Sequence, residues 1–304
     1  MWIADTDRAE VLCFGFSPDG ATLYTGDDEG AVFAWDRASQ EGRELHRFPR
    51  AADGPASVWQ VVPTPDGARL LVPNDGRVYE LPAAGGGKPR VVATKLAGGT
   101  RVSLAADGTR FLGVTTARGK VGCWDVATGN PRAVPGELGK YTWCVWAAYL
   151  PGDATILTVG MDDPSLVFWD AATGGRVGGC RPGHTGSVPN ALSPGGDLFA
   201  VVGPPSGSNY YSREVWVYDL AARERRATID LGRIPKGVAF RPSGKELTTA
   251  DCARSVRTWD ATTGKLLGTF QPKIGDVSSV AYSPDGTIWC AAGVGKFAVF
   301  DVDG

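Results

Sequence analysis

The sequence predicts an all-β fold, a single seven-bladed β-propeller of four-stranded antiparallel blades, on three observations. A Pro/Asp/Gly-type turn recurs seven times, an aromatic residue followed by an acid comes after each copy, and short alternating apolar segments lie between them. The chain's 304 residues are many for one domain, yet repeat folds reach this length because each repeat shares its core with its neighbours. With 42 glycines and 21 prolines the chain is rich in tight turns, which favours strands over helices.

The first motif is an apolar pair leading into a turn. It stands as FGFSPDG ending at Gly20, VVPTPDG at Gly67, VSLAADG at Gly108, AAYLPGD at Asp153, NALSPGG at Gly196, VAFRPSG at Gly244 and VAYSPDG at Gly286. Successive copies end 41 to 48 residues apart, the spacing of a propeller blade and longer than that of the helical ankyrin and tetratricopeptide repeats.

The second motif follows about 16 residues later as Trp35-Asp36, Tyr79-Glu80, Trp124-Asp125, Trp169-Asp170, Tyr218-Asp219, Trp259-Asp260 and Phe300-Asp301. The segments between, such as ATLYTG, AVFAW and SLVFW, are short, aromatic and β-branched, and no stretch sustains a helical period. After three of the acids comes a second turn, DVATGN, DAATGG or DATTGK, whose Gly suits a positive φ. Each repeat is therefore strand, turn, strand, turn, strand, turn, strand. The seven repeats span approximately 11–36, 57–80, 100–125, 143–170, 186–219, 234–260 and 277–301, within one domain of residues 1–304.

Through SPDG, the WD dipeptide and the xxTGK turn, the chain resembles the WD-repeat (WD40-type) propeller family over residues 11–301. The family's Gly-His dipeptide survives only as Gly183-His184, so the buried His/Asp/Ser-Thr/Trp hydrogen-bond network of its eukaryotic members is expected to be missing from most blades. An excess of Arg over Lys, 22 to 9, with much Ala and Gly, points to a bacterial member from a GC-rich genome. The last repeat stops after its third strand, and the resemblance implies that the N-terminal segment, Trp2-Ile3-Ala4, supplies the missing outer strand and closes the ring. The alternative is an open array completed by another chain.

Lys plus Arg number 31 against 33 Asp plus Glu, so the broad basic footprint of a nucleic-acid binder is missing. The longest apolar run, Trp143 to Leu150, is far below the roughly 20 residues of a membrane span. The opening MWIADTDRAE carries charge where a signal peptide is apolar. The expectation is a soluble, cytoplasmic monomer that contacts neither nucleic acid nor membrane.

Catalytic chemistry finds little material. His46 and His184 are the only histidines, read as a surface residue and a structural one, and the six cysteines form no CxxC pair. Ser57, Ser187 and Ser278 lack a GxSxG elbow and a base. Gly85 to Gly87 is followed by no GK[ST], and reads as a loop between blades. The acid pairs Asp27-Asp28 and Asp162-Asp163 suit turns that hydrogen-bond their own backbone better than a Ca²⁺ site. No catalytic residue, metal or cofactor is expected.

In the family resembled, one face carries the SPDG and TGK turns, and the other carries the loops that lead into the first strand and join the second to the third. That second face is the usual binding surface. Here it would present Trp59, Arg101, Tyr141, Trp143 and Lys236 from the leading loops. The joining loops would add Asp28, Arg118, Asp162, Tyr210, Tyr211 and Arg254. Of these, Trp59, Arg101, Tyr141, Trp143, Tyr210, Tyr211, Lys236 and Arg254 form the expected partner-binding set, since aromatics and Arg dominate interface hot spots. The alternative placement of Trp59 and Trp143 is inward, between blades. Gly203 to Glu214, GPPSGSNYYSRE, is an insertion whose length suits a contact loop.

The function expected is a non-enzymatic scaffold that binds a protein or peptide around the axis. The alternatives are a propeller enzyme, a lactonase-like hydrolase or a lyase with its site in the axial funnel, and a structural module of a larger signalling assembly.

Overall fold

The computed structural model describes residues 1–50, 56–141, 143–160, 166–180, 190–203, 212–252 and 254–302. Strand β1 (Trp2–Phe16) opens the chain. One compact unit, residues 15–181, then holds β2 (Thr22–Asp27), β3 (Ala31–Asp36), β4 (Gly42–Arg47), β5 (Val62–Pro63), β6 (Arg69–Asn74), β7 (Arg77–Pro82) and β8 (Arg90–Thr94). It continues through β9 (Ser103–Leu104), β10 (Arg110–Val114), β11 (Val121–Asp125), β12 (Pro131–Arg132), β13 (Cys144–Tyr149), β14 (Thr155–Gly160), β15 (Leu166–Asp170) and β16 (Arg176–Cys180). The other unit, residues 1–14 with 182–304, holds β17 (Asn190–Leu192), β18 (Leu198–Val202), β19 (Glu214–Asp219), β20 (Glu224–Asp230) and β21 (Pro235–Phe240). It ends with β22 (Glu246–Asp251), β23 (Val256–Asp260), β24 (Leu266–Phe270), β25 (Val277–Tyr282) and β26 (Ile288–Asp301). Among the described residues the only helix is one 3-10 turn, Leu138–Lys140.

Each repeat is an antiparallel meander. In the first unit the neighbours are β2-β3-β4, β5-β6-β7-β8, β9-β10-β11-β12 and β13-β14-β15-β16; in the second they are β17-β18-β19-β20, β21-β22-β23-β24 and β25-β26-β1. Burial explains why the strands read differently in the sequence. The second strands β14, β18 and β22 are buried almost throughout, so they are apolar or Thr-rich runs without alternation. The fourth strands β20 and β24 are largely exposed, which admits ERRATID and LLGTF.

The turns obey their own chemistry. Gly20, Gly67, Gly108, Gly196, Gly244 and Gly286 all take φ between 68° and 72°, and in the fourth repeat the non-glycine Asp153 takes φ 57°. Ser17 Oγ donates to Asp19 Oδ1 at 2.6 Å and accepts from Thr22 N at 2.9 Å, which ties the turn to the strand it starts. Ser283 and Asp285 repeat the arrangement, with Ile288 N donating to Ser283 Oγ at 3.1 Å.

The N-terminal segment does supply the outer strand of the last repeat. Trp2, Ile3, Ala4 and Asp5 pair antiparallel with Val299, Ala298, Phe297 and Lys296. Trp2 meets the fully buried Phe297 edge-on at 5.3 Å between ring centroids, and Phe14 does so at 5.9 Å. β26 covers both the second and third strand positions of that repeat, with Gly295 at φ 75° between the half that pairs with β25 and the half that pairs with β1.

The expected loss of the buried network is only partial. The indole Nε1 groups of Trp35, Trp169 and Trp259 donate to Thr25, Thr158 and Thr249 Oγ1 at 3.0, 2.8 and 2.9 Å, so the Trp–Thr half of it persists in three repeats. In the second repeat Glu80 stands in the place of Asp, buried and bridged by Arg69 and Arg90. Gly183-His184 and Ser187 lie outside the described residues.

The acids that end the third strands accept backbone N–H groups from the turn that follows. Asp170 Oδ1 accepts from Ala172 N at 3.1 Å, Thr173 N at 2.7 Å and Thr173 Oγ1 at 2.8 Å. Such bonds hold the carboxyls of Asp36, Asp170, Asp219 and Asp260 below their ordinary 3.8. At Asp125 the Arg132 guanidinium, followed by Thr128, brings the value to about 2. A carboxyl with a depressed folded pKa contributes stability that is complete above its unfolded value and lost as pH falls through the folded one. The carboxyl contribution to the melting temperature is therefore expected to be complete above about pH 5 and to be lost steadily from about pH 4 towards 2, with a shallower fall in Asp125→Asn. Thermal melts followed by far-UV circular dichroism check this, and a melting temperature unchanged down to about pH 2 refutes it.

Candidate interaction surface

Backbone hydrogen bonds hold the loops that carry the expected binding residues. Ahead of β5, Val58 N donates to Asp27 O at 2.8 Å, and Asn74 Nδ2 donates to Ala56 O and Ser57 O at 2.7 and 3.1 Å. Gln60 Nε2 donates to Val102 O at 3.0 Å and Gln60 Oε1 accepts from Val102 N at 2.7 Å, joining the loops ahead of β5 and β9. Trp59 sits between these anchors with 46% of its surface exposed. The inward alternative is thereby set aside for this residue.

Trp143, ahead of β13, is 52% exposed and has φ 65°. Its N–H donates to Arg118 O at 2.7 Å, and Cys144 N donates to Gly119 O at 2.9 Å, so the β10–β11 loop lies against the segment ahead of β13. A Cβ on Gly119 would come within 2.7 Å of Cys144 O, so only glycine permits this approach. Arg118 is exposed with φ 57°, which places two non-glycine residues in the left-handed region side by side. Such backbone costs on the order of 1–3 kcal/mol each and gathers at functional sites.

The remaining expected residues are placed unevenly. Tyr141 is half-buried and lays its ring edge-on against Trp169 at 5.2 Å, which makes packing a large part of its role. Arg101 is half-buried, and Lys236 is exposed on β21. Arg254 is exposed at φ 63° with Nε 3.2 Å from Asp276 Oδ1. Tyr210, Tyr211 and Asp162 lie outside the described residues.

Groups weighed for chemistry have structural tasks. Ser57 is buried, and the Ser278 hydroxyl is 3.1 and 3.2 Å from Val11 O and Ala292 O. His46, expected at the surface, is instead half-buried on β4 with its ring edge-on to Phe48 at 4.6 Å, because it faces the side on which Phe48 is buried. That burial pushes its pKa down. Burial likewise pushes the Cys144 thiol up to about 12, far from a reactive thiolate. Asp27 Oδ1 accepts from Glu29 N at 3.0 Å and Ala31 N at 2.7 Å, a self-capped turn. Among the described residues no group of three or more His, Cys, Asp or Glu is placed to hold a metal ion, and no helix is long and apolar enough to cross a membrane.

Sequence reasoning passed over one feature. In the unit of residues 1–14 and 182–304, an open cavity of about 440 Å³ is lined by Arg213, Gly232, Arg233, Ile234 and Cys252. Arg213 lies at the end of the insertion and Arg233 leads into β21, so charge at those two loop positions was the signal available.

A family model described as WD domain, G-beta repeat, matches residues 4–36. The chain is similar to Angio-associated migratory cell protein of Homo sapiens, 25% identical over 92% of this chain and 65% of that one. It thus spans about 65% of that relative's length. It is also similar to Guanine nucleotide-binding protein subunit beta of Nicotiana tabacum, 27% identical over 52% of this chain and 43% of that one. Among solved structures, Kuenenia stuttgartiensis Hydrazine Synthase matches with a TM-score of 0.77 across 98% of this chain and 97% of that one. At 18% identity that likeness speaks for the fold alone.

Proposed function

The chain is a WD-repeat protein of the all-β propeller class, and from that premise we propose that it is a non-enzymatic scaffold which binds a protein or peptide through the loop ends that carry Trp59, Arg118 and Trp143. WD-repeat proteins generally act as protein-interaction scaffolds. One observation carries the finer reading: an indole half exposed to water is held on a left-handed backbone at Trp143, against a loop with the same strain at Arg118. The two backbone hydrogen bonds hold the exposed indole in place, and a rigid exposed aromatic loses little entropy when a partner covers it. On this reading residues 1–304 are one domain, the protein is a cytoplasmic monomer, and Arg101 belongs to the same loop ends as Trp59 and Trp143.

The variants Trp143→Gly and Trp59→Ala separate stability from binding. Glycine relieves the left-handed strain, so Trp143→Gly is expected to melt at or above the parent's temperature, by up to about 1 kcal/mol of added stability. Partners captured by the immobilised parent and identified by mass spectrometry are expected to bind either variant at least about tenfold more weakly. Equal affinity for parent and folded variants would remove these loops from the surface.

A further inference from the structure

We propose that the cavity between Arg213 and Arg233 is a carboxylate-accepting subsite, which docks an acidic segment of the protein partner. The inference rests on the scaffold reading and names the chemistry of what is bound. Leu231 N donates to Arg213 O at 2.9 Å, so the two loops that carry the arginines are tied together at the backbone. Gly232, at φ 64°, turns the chain between them.

Among the described residues neither arginine side chain has an acidic partner. Elsewhere in the chain arginines pair with acids, as Arg132 does with Asp125 at 2.5 Å and Arg226 with Asp219 at 2.7 Å. Carboxylates near the lining residues in sequence or in contact with that region have other partners. Asp230 Oδ1 accepts from Gly232 N at 2.7 Å, and Glu214 Oε2 from Trp216 Nε1 at 2.8 Å. Asp251 Oδ2 accepts from Ser255 Oγ at 2.8 Å and lies 3.5 Å from Arg257, while Asp276 lies 3.2 Å from Arg254. Among the described residues Arg213 and Arg233 have no ion-pair partner, both are exposed, and the unpaired, exposed Lys236 follows on β21.

Uncompensated guanidinium groups on the wall of a concavity focus positive potential there, and their planar forks suit carboxylates. A cavity of about 440 Å³ is larger than a single small ion fills, and takes a side chain with its flanking backbone. The chain's net charge of −2 speaks against a nucleic acid, which needs a broad positive field and not one local patch.

The test is fluorescence anisotropy with a labelled oligoglutamate peptide, its glutamine counterpart and a single-stranded oligonucleotide. The probes are titrated against the parent chain, Arg213→Gln with Arg233→Gln, and the matching Lys variants. Oligoglutamate is expected to bind the parent, more weakly as salt rises, and to lose roughly tenfold in affinity in the Gln variant with partial recovery in the Lys variant. The glutamine peptide is expected not to bind. Equal binding of oligoglutamate by the parent and the Gln variant, whose fold is verified by circular dichroism, overturns the subsite; so does tighter binding of the oligonucleotide through the same arginines. The two readings fail separately. A subsite lost while Trp59→Ala still releases the partner leaves the scaffold standing, whereas partners indifferent to Trp59 and Trp143 sink the scaffold reading whatever the peptide does.

Discussion

Deleting Trp2–Asp5 is expected to lower the stability of the chain by about 3–5 kcal/mol and to make it self-associate. These residues form four register pairs with Lys296 to Val299, and Trp2 is the edge-on neighbour of Phe297, which is fully buried. Removing them strips a ring from a buried phenylalanine and bares the N–H and C=O row of a strand with apolar neighbours, a template for pairing with another molecule. Ile3→Lys is the control. Ile3 is 43% exposed, so a charge there leaves the pairing and the Phe297 contact intact and is expected to change stability by less than about 0.5 kcal/mol. Urea unfolding and size-exclusion chromatography read both effects. A truncated chain that unfolds with the parent and stays monodisperse would mean that the strand contributes nothing to the last sheet.

Trp169→Ala is expected to cost about 3–5 kcal/mol and to loosen the candidate surface from beneath. Its indole is 4% exposed, packs in one core cluster with Leu138, Ile156 and Val167, donates to Thr158 Oγ1 at 2.8 Å and takes the edge of Tyr141 at 5.2 Å. Truncation leaves a cavity, an undonated Thr158 oxygen and a Tyr141 without its partner, just ahead of the exposed Trp143. Trp169→Phe keeps most of the volume and removes only the N–H, and is expected to cost about 1 kcal/mol. Denaturant melts followed by far-UV circular dichroism separate the two. Hydrogen exchange at the amides of Tyr141 to Cys144 reports the loosening, expected in the alanine variant and weak in the phenylalanine one. Similar costs for both variants would refute the packing account, and unchanged exchange in Trp169→Ala would disconnect the core from the surface.

What could be read without coordinates was whatever local chemistry decides. A left-handed glycine after Pro-Asp, a strand end marked by aromatic and acid, and a turn closed on that acid each depend on neighbours within about ten residues, so seven copies in one sequence were legible as seven meanders. The outer strand at Trp2–Asp5 was legible for a related reason: the last repeat lacked one strand and a short apolar segment was unassigned. The fates of particular side chains were not legible. Trp59 and Trp143 precede strands just as Tyr141 does, yet two face water and one packs on Trp169. The deciding partners, Val102 for Gln60 and Arg118 for Trp143, come from neighbouring repeats and leave no mark beside them in the sequence.

His46 shows the same limit, since a polar stretch gives no sign that its ring meets Phe48. The arginines show it most clearly. A sequence with 31 cations and 33 acids does not tell which remain unpaired, because pairing depends on distances that only folding creates. Sequence by itself determined the repeat, its turns, its strand order and the likeness to WD-repeat proteins, all set by short-range sterics and hydrogen bonding. Tertiary structure alone decided which indoles reach water and that Arg213 and Arg233 stand beside a cavity without an acidic partner among the described residues, because exposure and charge pairing belong to surfaces assembled from residues far apart in the chain.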